Sequence, residues 1–114
     1  MRSKYKKYRR FLGFLFAGAI TLPVHALDKV QTIANPYLPD IATVRYVPGT
    51  GPIIVYNPVL CRQAGRALCE FYRYHEYGHI ALHHGERDDL TPEEKENQAD
   101  RWAAEHAPLD TVIA

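Results

Sequence analysis

The residues best suited to chemistry form one short stretch, His75-Glu76-Tyr77-Gly78-His79. Side chains four residues apart lie on the same face of an α-helix, so the two imidazoles can bind one metal ion if this stretch is helical. Glu76 lies one residue further round the helix, where its carboxylate can take a proton from water beside that ion. The H-E-x-x-H spacing therefore predicts a hydrolytic site with Zn²⁺ as its cofactor.

A second pair of residues at the same spacing can complete the site. Glu96 and Asp100 are four residues apart and share a helical face with Ala99 and Ala103, whose small side chains allow a second helix to approach closely. Glu96 can supply the third protein ligand, which leaves the fourth zinc position open for water. Asp100 can accept a hydrogen bond from the non-ligating nitrogen of a zinc-bound histidine.

Other residues are alternative ligands. His83 follows His79 by four residues and can serve if Glu96 does not, although a helical drift of about 40° per four residues argues against it. We expect His83 and His84 to close the end of the helix instead, where a partly positive imidazole is favoured. Glu93 is a further alternative if the second helix has a different phase.

The elements that must position these residues are a hairpin and two helices. Residues 41–47 and 53–56 are β-branched and aromatic, and the Pro- and Gly-rich stretch 48–52 between them predicts a β-hairpin. Residues 27–40 predict only a short helical turn broken by prolines. We expect a helix from about Arg66 to His84, stopped at Gly85.

A capping box predicts where the second helix starts. Thr91 can cap the helix, Pro92 suits its first position, and Glu94 can complete the box. The seven-residue loop from Gly85 is short enough to fold the two helices back against each other. The predicted fold class is therefore α+β.

With these residues in place, the chain resembles the gluzincin metallopeptidases, in particular their single-domain members and the CaaX-type endopeptidases. The shared pattern is H-E-x-x-H followed by Glu96-Asn-Gln-Ala-Asp100, and the resemblance covers about residues 66–107. It implies a small zincin-like domain in which a β-hairpin packs beside the H-E-x-x-H helix and an antiparallel second helix carries the third ligand. It further implies roles for five residues: zinc ligands His75, His79 and Glu96, general base Glu76, and Asp100 as support for the first histidine. The metzincin pattern is excluded, because Leu82 and Gly85 stand where it needs Gly and His.

The first 26 residues have the features of a cleavable export signal. Six Lys and Arg within the first ten residues precede an apolar run over 11–22, and small residues follow up to Ala26. A retained membrane anchor is the alternative, but twelve residues fall short of the roughly 20 needed to span a bilayer. We therefore expect a signal peptide over 1–26, a metallopeptidase domain over 27–114, and a periplasmic or secreted protein that touches the membrane only transiently.

The charge of the predicted mature chain argues against nucleic-acid binding. Removing the six basic residues of the signal leaves eight Lys and Arg against thirteen Asp and Glu, a net charge of −5. Such a surface repels phosphate backbones, and no basic stripe remains.

The two cysteines, Cys61 and Cys69, both lie in the predicted exported part. On one continuous helix their Cα atoms would be about 12 Å apart, beyond the roughly 7 Å that a disulfide can bridge. A bridge therefore needs a bend between them, which Gly65 can provide. We expect a disulfide, since exported cysteines with no third partner usually pair; the alternative is two packed free thiols.

The expected function is a zinc metallopeptidase that hydrolyses a peptide or protein substrate. The edge of the hairpin, Val44–Val47 or Ile53–Tyr56, can hold an extended peptide by strand addition. One alternative is a non-catalytic, zinc-stabilised binding module, and another is a chance match in a packed helical core. Glu76 distinguishes the metallopeptidase from the non-catalytic module, because a purely structural site has no use for a base beside the metal. The sequence leaves the natural substrate and the oligomeric state open.

Overall fold

The structure is a computed structural model, which describes residues 29–108 and residue 110. The predicted signal peptide, residues 1–26, lies outside the described residues. The described chain is a small α+β domain, in agreement with the predicted class. None of its described helices is both long and apolar enough to cross a bilayer. In chain order the elements are β1 (Gln31–Ala34), β2 (Ala42–Val47), β3 (Gly51–Tyr56), α1 (Pro58–Ala64), α2 (Arg66–Ala81), a 3-10 turn (His84–Glu86) and α3 (Pro92–His106).

The predicted hairpin is confirmed as the antiparallel pair β2–β3. Gly49 and Gly51 adopt positive φ angles of 79° and 88° in its turn, a conformation that glycine reaches without steric cost. The second strand begins at Gly51, two residues earlier than predicted, and so includes Pro52. Pro52 is tolerated there because β1 pairs with β3 only from Ile53 onward.

The expectation of a helical turn within residues 27–40 was wrong for residues 31–34, and residues 27–28 lie outside the described residues. Gln31–Ala34 forms strand β1, which pairs in parallel with β3 and makes a mixed sheet of order β1-β3-β2. The β-branched pair Thr32 and Ile33 favours an extended backbone, and pairing with the apolar strand β3 outweighs any local helical preference. Pro36 follows the strand and falls in a turn, as a residue without an N–H should.

The bend between the cysteines lies at Gly65, as predicted. Gly65 ends α1 and precedes α2 with a φ of 96°, which separates the two helices. The bend brings the Cα atoms of Cys61 and Cys69 to 5.0 Å, and the two residues form a disulfide. The disulfide is confirmed, and it ties α1 to the first turns of α2.

Helix α2 ends at Ala81, three residues before the predicted end. Leu82 caps it, and His83 adopts a left-handed backbone with φ 57° and ψ 38°. This conformation costs a non-glycine residue roughly 1–2 kcal/mol, and it reverses the direction of the chain. The reversal is what places His84, at the start of the 3-10 turn, back against α2.

Helix α3 starts with the predicted capping box. Thr91 Oγ1 accepts from Glu94 N–H at 3.0 Å, and Thr91 N–H donates to Glu94 Oε1 at 2.8 Å. The core between sheet and helices is built on Ile54, Ile80 and Trp102, which are at most 6% exposed. Trp102 stacks on His106 at 4.0 Å between ring centroids.

Candidate metal centre

Close packing of α2 against α3 sets the geometry of the site. His75 contacts Asp100, whereas His79, one turn later in α2, contacts Glu96, one turn earlier in α3. The helices are therefore antiparallel, as the third-ligand prediction required. Gly78 lies at the crossing, where a Cβ would be 3.1 Å from the Ala99 carbonyl oxygen and 3.2 Å from Trp102 Cβ. Only glycine allows this approach without displacement, and Ala99 is fully buried beneath it.

We expect Gly78→Ala to separate the helices and weaken metal binding. The overpacking cost of about 1–3 kcal/mol exceeds the gain of about 1 kcal/mol in helix propensity, so the net stability falls. Thermal unfolding of the metal-free protein measures the first effect, and zinc competition measures the second. A variant that is more stable than the parent and binds zinc equally well would show that α2 and α3 are not closely packed at Gly78.

Three side-chain atoms converge where the two helices meet. His75 Nε2 lies 3.1 Å from His79 Nε2 and 2.9 Å from Glu96 Oε1, and His79 Nε2 lies 3.3 Å from Glu96 Oε2. Metal–ligand bonds of about 2.0–2.2 Å at tetrahedral angles separate neighbouring ligand atoms by roughly 3.3–3.6 Å, a little more than the distances found here. Among the described residues, His75, His79 and Glu96 are the group that could hold a metal ion.

The other ring nitrogen of His75 is held by Asp100. Nδ1 lies 2.7 Å from Asp100 Oδ1, and because a carboxylate accepts, Nδ1 carries the proton. When Nδ1 alone carries a proton, the lone pair of the His75 ring lies on Nε2, which faces Glu96 and His79. Lone pairs that face each other at these distances repel, and a cation placed among them removes that repulsion.

The remaining histidine of the motif is neutral. Burial, and to a smaller extent the neighbouring His75 ring, lower the pKa of His79 to about 4. At pH 7 the ring therefore carries a lone pair on one nitrogen. Metal binding requires this form of the ring.

Glu76 faces strand β2. It is 8% exposed, and its Oε2 lies 3.9 Å from His75 Nε2, beside the three converging atoms. Its carboxylate also accepts a hydrogen bond from the backbone N–H of Val44. Burial raises the pKa of the Glu76 carboxyl to about 7, and the opposing effect of nearby His75 is smaller. A carboxyl group of this kind can take up and release a proton near neutral pH.

Sequence reasoning missed the role of His84, which was expected only to close the helix. Its Nδ1 lies 2.8 Å from His79 Nδ1, and its Nε2 lies 2.9 Å from Gln98 Oε1. It is 3% exposed, and burial lowers its pKa. The only sign of it in the sequence is that a second histidine directly follows His83, and this does not indicate which way the His84 side chain points.

The alternative ligands lie elsewhere. His83 Nδ1 is 3.3 Å from Glu86 Oε2, on a half-exposed side chain outside the converging group. Glu93 is exposed in the first turn of α3, and its role as a fallback ligand is not needed.

A cleft of about 1210 Å³ opens over the site. One wall is strand β2, with Thr43, Val44 and Tyr46, and the opposite wall includes Phe71 and Tyr72 from α2. Phe71 and Tyr72 line the cleft, whereas Tyr74 and Tyr77 pack on the core.

Comparison with known protein families, with curated proteins and with solved structures finds no match. The residues of the site themselves must therefore indicate its function.

Proposed function

We propose that the chain is a zinc-dependent metallopeptidase of the gluzincin type, with a zincin-like arrangement of hairpin and helices. The observation that carries the proposal is the convergence of His75, His79 and Glu96, with a buried carboxylate, Glu76, 3.9 Å from one of the converging nitrogens. Three protein ligands leave a coordination position open, which distinguishes catalytic from structural zinc sites.

The roles of the residues follow from their positions. A bound zinc ion would supply Lewis acidity that polarises the scissile carbonyl and acidifies water. Glu76 takes the proton from the attacking water and delivers it to the leaving amine, which needs a carboxylate within reach of both. Asp100 keeps the proton of His75 on Nδ1 and holds the ring in its orientation.

The sheet offers one edge to a substrate. Strand β3 is paired on both sides, so Ile53–Tyr56 is excluded as a site of strand addition. Strand β2 is an edge of the described sheet, and Val44 directs its N–H toward Glu76. Because alternate residues of an antiparallel strand face the same edge, Ala42 and Tyr46 also direct backbone groups toward the cleft. We infer that an extended peptide lies along β2, where its carbonyl group comes beside Glu76.

The compartment we propose is the periplasm or the extracellular space. The Cys61–Cys69 disulfide is consistent with an oxidising environment. The basic and apolar character of residues 1–26 supports export by a cleavable signal.

The test is zinc content and peptide hydrolysis by the purified chain. We expect one zinc ion per chain and cleavage of an unfolded protein or a peptide library, detected by mass spectrometry. A chelator should abolish cleavage, and added zinc should restore it. One bound zinc ion without cleavage of any peptide would instead support the non-catalytic binding module, and absence of zinc binding would support a chance match.

A further inference from the structure

The contact between His84 and His79 is unlike the other contacts of the site. Asp100, which holds His75, is a carboxylate that can only accept, whereas His84 is an imidazole that can accept or donate. The direction of the hydrogen bond between the two Nδ1 atoms, 2.8 Å apart, therefore depends on where the protons lie.

Gln98 fixes those protons. Its Oε1 is an acceptor 2.9 Å from His84 Nε2, so His84 carries a proton on Nε2. In the neutral ring Nδ1 is then an acceptor, and His79 must donate its Nδ1–H to it. The lone pair of His79 is left on Nε2, the atom that faces His75 and Glu96.

The fold is built to make this contact. A continuous helix would place His84 about 140° round the axis from His79, because each residue turns about 100°. The left-handed backbone of His83 breaks the helix and returns His84 to the same face. The turn is also held from the sheet, since the Tyr46 ring packs so closely on Gly85 that no Cβ would fit between them.

We propose that His84, held by Gln98, is a positioning residue for His79, which it keeps in the Nδ1–H form with Nε2 free to bind the metal. This inference rests on the proposed zinc site and extends it, because it assigns each motif histidine a separate partner. His75 is held by an acid and His79 by a neutral ring, so support for the second histidine adds no further negative charge.

The test uses two variants of His84, each of which keeps only one of its two hydrogen bonds, to His79 or to Gln98. In His84→Asn the side-chain oxygen takes the place of Nδ1 and can still accept from His79, but the link to Gln98 is lost. In His84→Gln the amide nitrogen takes the place of Nε2 and can still donate to Gln98, but the acceptor for His79 is lost. Zinc affinity is measured for both against a chromophoric chelator, after thermal unfolding has shown that both metal-free variants fold.

We expect His84→Gln to lower zinc affinity by about 10–100-fold, the usual cost of losing such a partner, and His84→Asn to stay within a few-fold of the parent. A purely structural role, in which His84 only ties the turn to α3, predicts the reverse order. Equal affinities, equal losses or the reverse order would overturn the inference.

Nitrogen NMR of the histidine rings gives a second readout that needs no variant. We expect the Nδ1–H form for His79 and the Nε2–H form for His84, and the opposite pair of forms would contradict the inference.

The experiments distinguish failure of this inference from failure of the proposed function. A parent protein with no zinc affinity overturns the proposed function and this inference with it, whereas a parent that binds zinc, with the variants in the wrong order, overturns this inference alone.

Discussion

Replacing Glu76 with Gln is expected to abolish most peptide hydrolysis while zinc remains bound. Glutamine matches the shape of glutamate and can still fill the buried space next to Val44, but it cannot take a proton from water. Loss of a positioned general base costs typically about 10²–10⁴-fold in rate. We expect kcat/KM to fall by that factor and zinc stoichiometry to stay at one, measured on the same preparations.

The matched control is Glu105→Gln, which makes the same chemical change at an exposed position of α3 away from the converging atoms. It should leave both hydrolysis and zinc content unchanged. If Glu76→Gln retained zinc and full activity, Glu76 would not be the base, and the proposed mechanism would be wrong.

Removal of zinc is expected to lower the unfolding temperature by a large amount. A ligand that binds only the folded state at 1,000 times its dissociation constant adds about 4.1 kcal/mol of stability. For a domain of this size each kcal/mol shifts the midpoint by about 4–8 °C, so we expect a shift of roughly 15–30 °C. The effect should be large because both helices supply ligands, and the metal therefore joins α2 to α3. Thermal unfolding by circular dichroism with excess zinc and with chelator measures it.

Two substitutions one turn apart on α3 show whether the shift comes from this site. Glu96→Ala removes the proposed third ligand and should abolish most of the zinc-dependent shift. Glu93→Ala removes the same side chain from an exposed position and should preserve it. If zinc produced no shift in the parent protein, or if Glu93→Ala lost the shift while Glu96→Ala kept it, the ligand assignment would be wrong.

The features predicted from the sequence are those whose signal is local. The hairpin follows from β-branched runs around a Gly- and Pro-rich turn, and the start of α3 follows from the Thr91–Glu94 capping box. The grouping of His75, His79 and Glu96 follows from helical spacing. The two histidines share one face of α2, Glu96 shares a face of α3 with Asp100, and the loop between the helices is short. In each case the signal lies within one element or in the short loop between two.

The features that were missed depend on residues far apart in the chain. Strand β1 forms because β3 offers it an apolar partner, and no pattern within residues 27–40 reveals that pairing. The end of α2 depends on His83, which adopts a left-handed backbone that the sequence gives no reason to expect of a histidine. His84 therefore could not be directed toward His79 in advance, since its position depends on that turn.

Anomalous scattering at the zinc absorption edge, recorded from a crystal of the zinc-loaded protein, tests the proposed metal site most directly. We expect one peak bonded to His75 Nε2, His79 Nε2 and a Glu96 oxygen, with an exchangeable position beside Glu76. A crystal in which Glu96 only forms a salt bridge to a protonated His75, with no anomalous peak between the helices at saturating zinc, would contradict it.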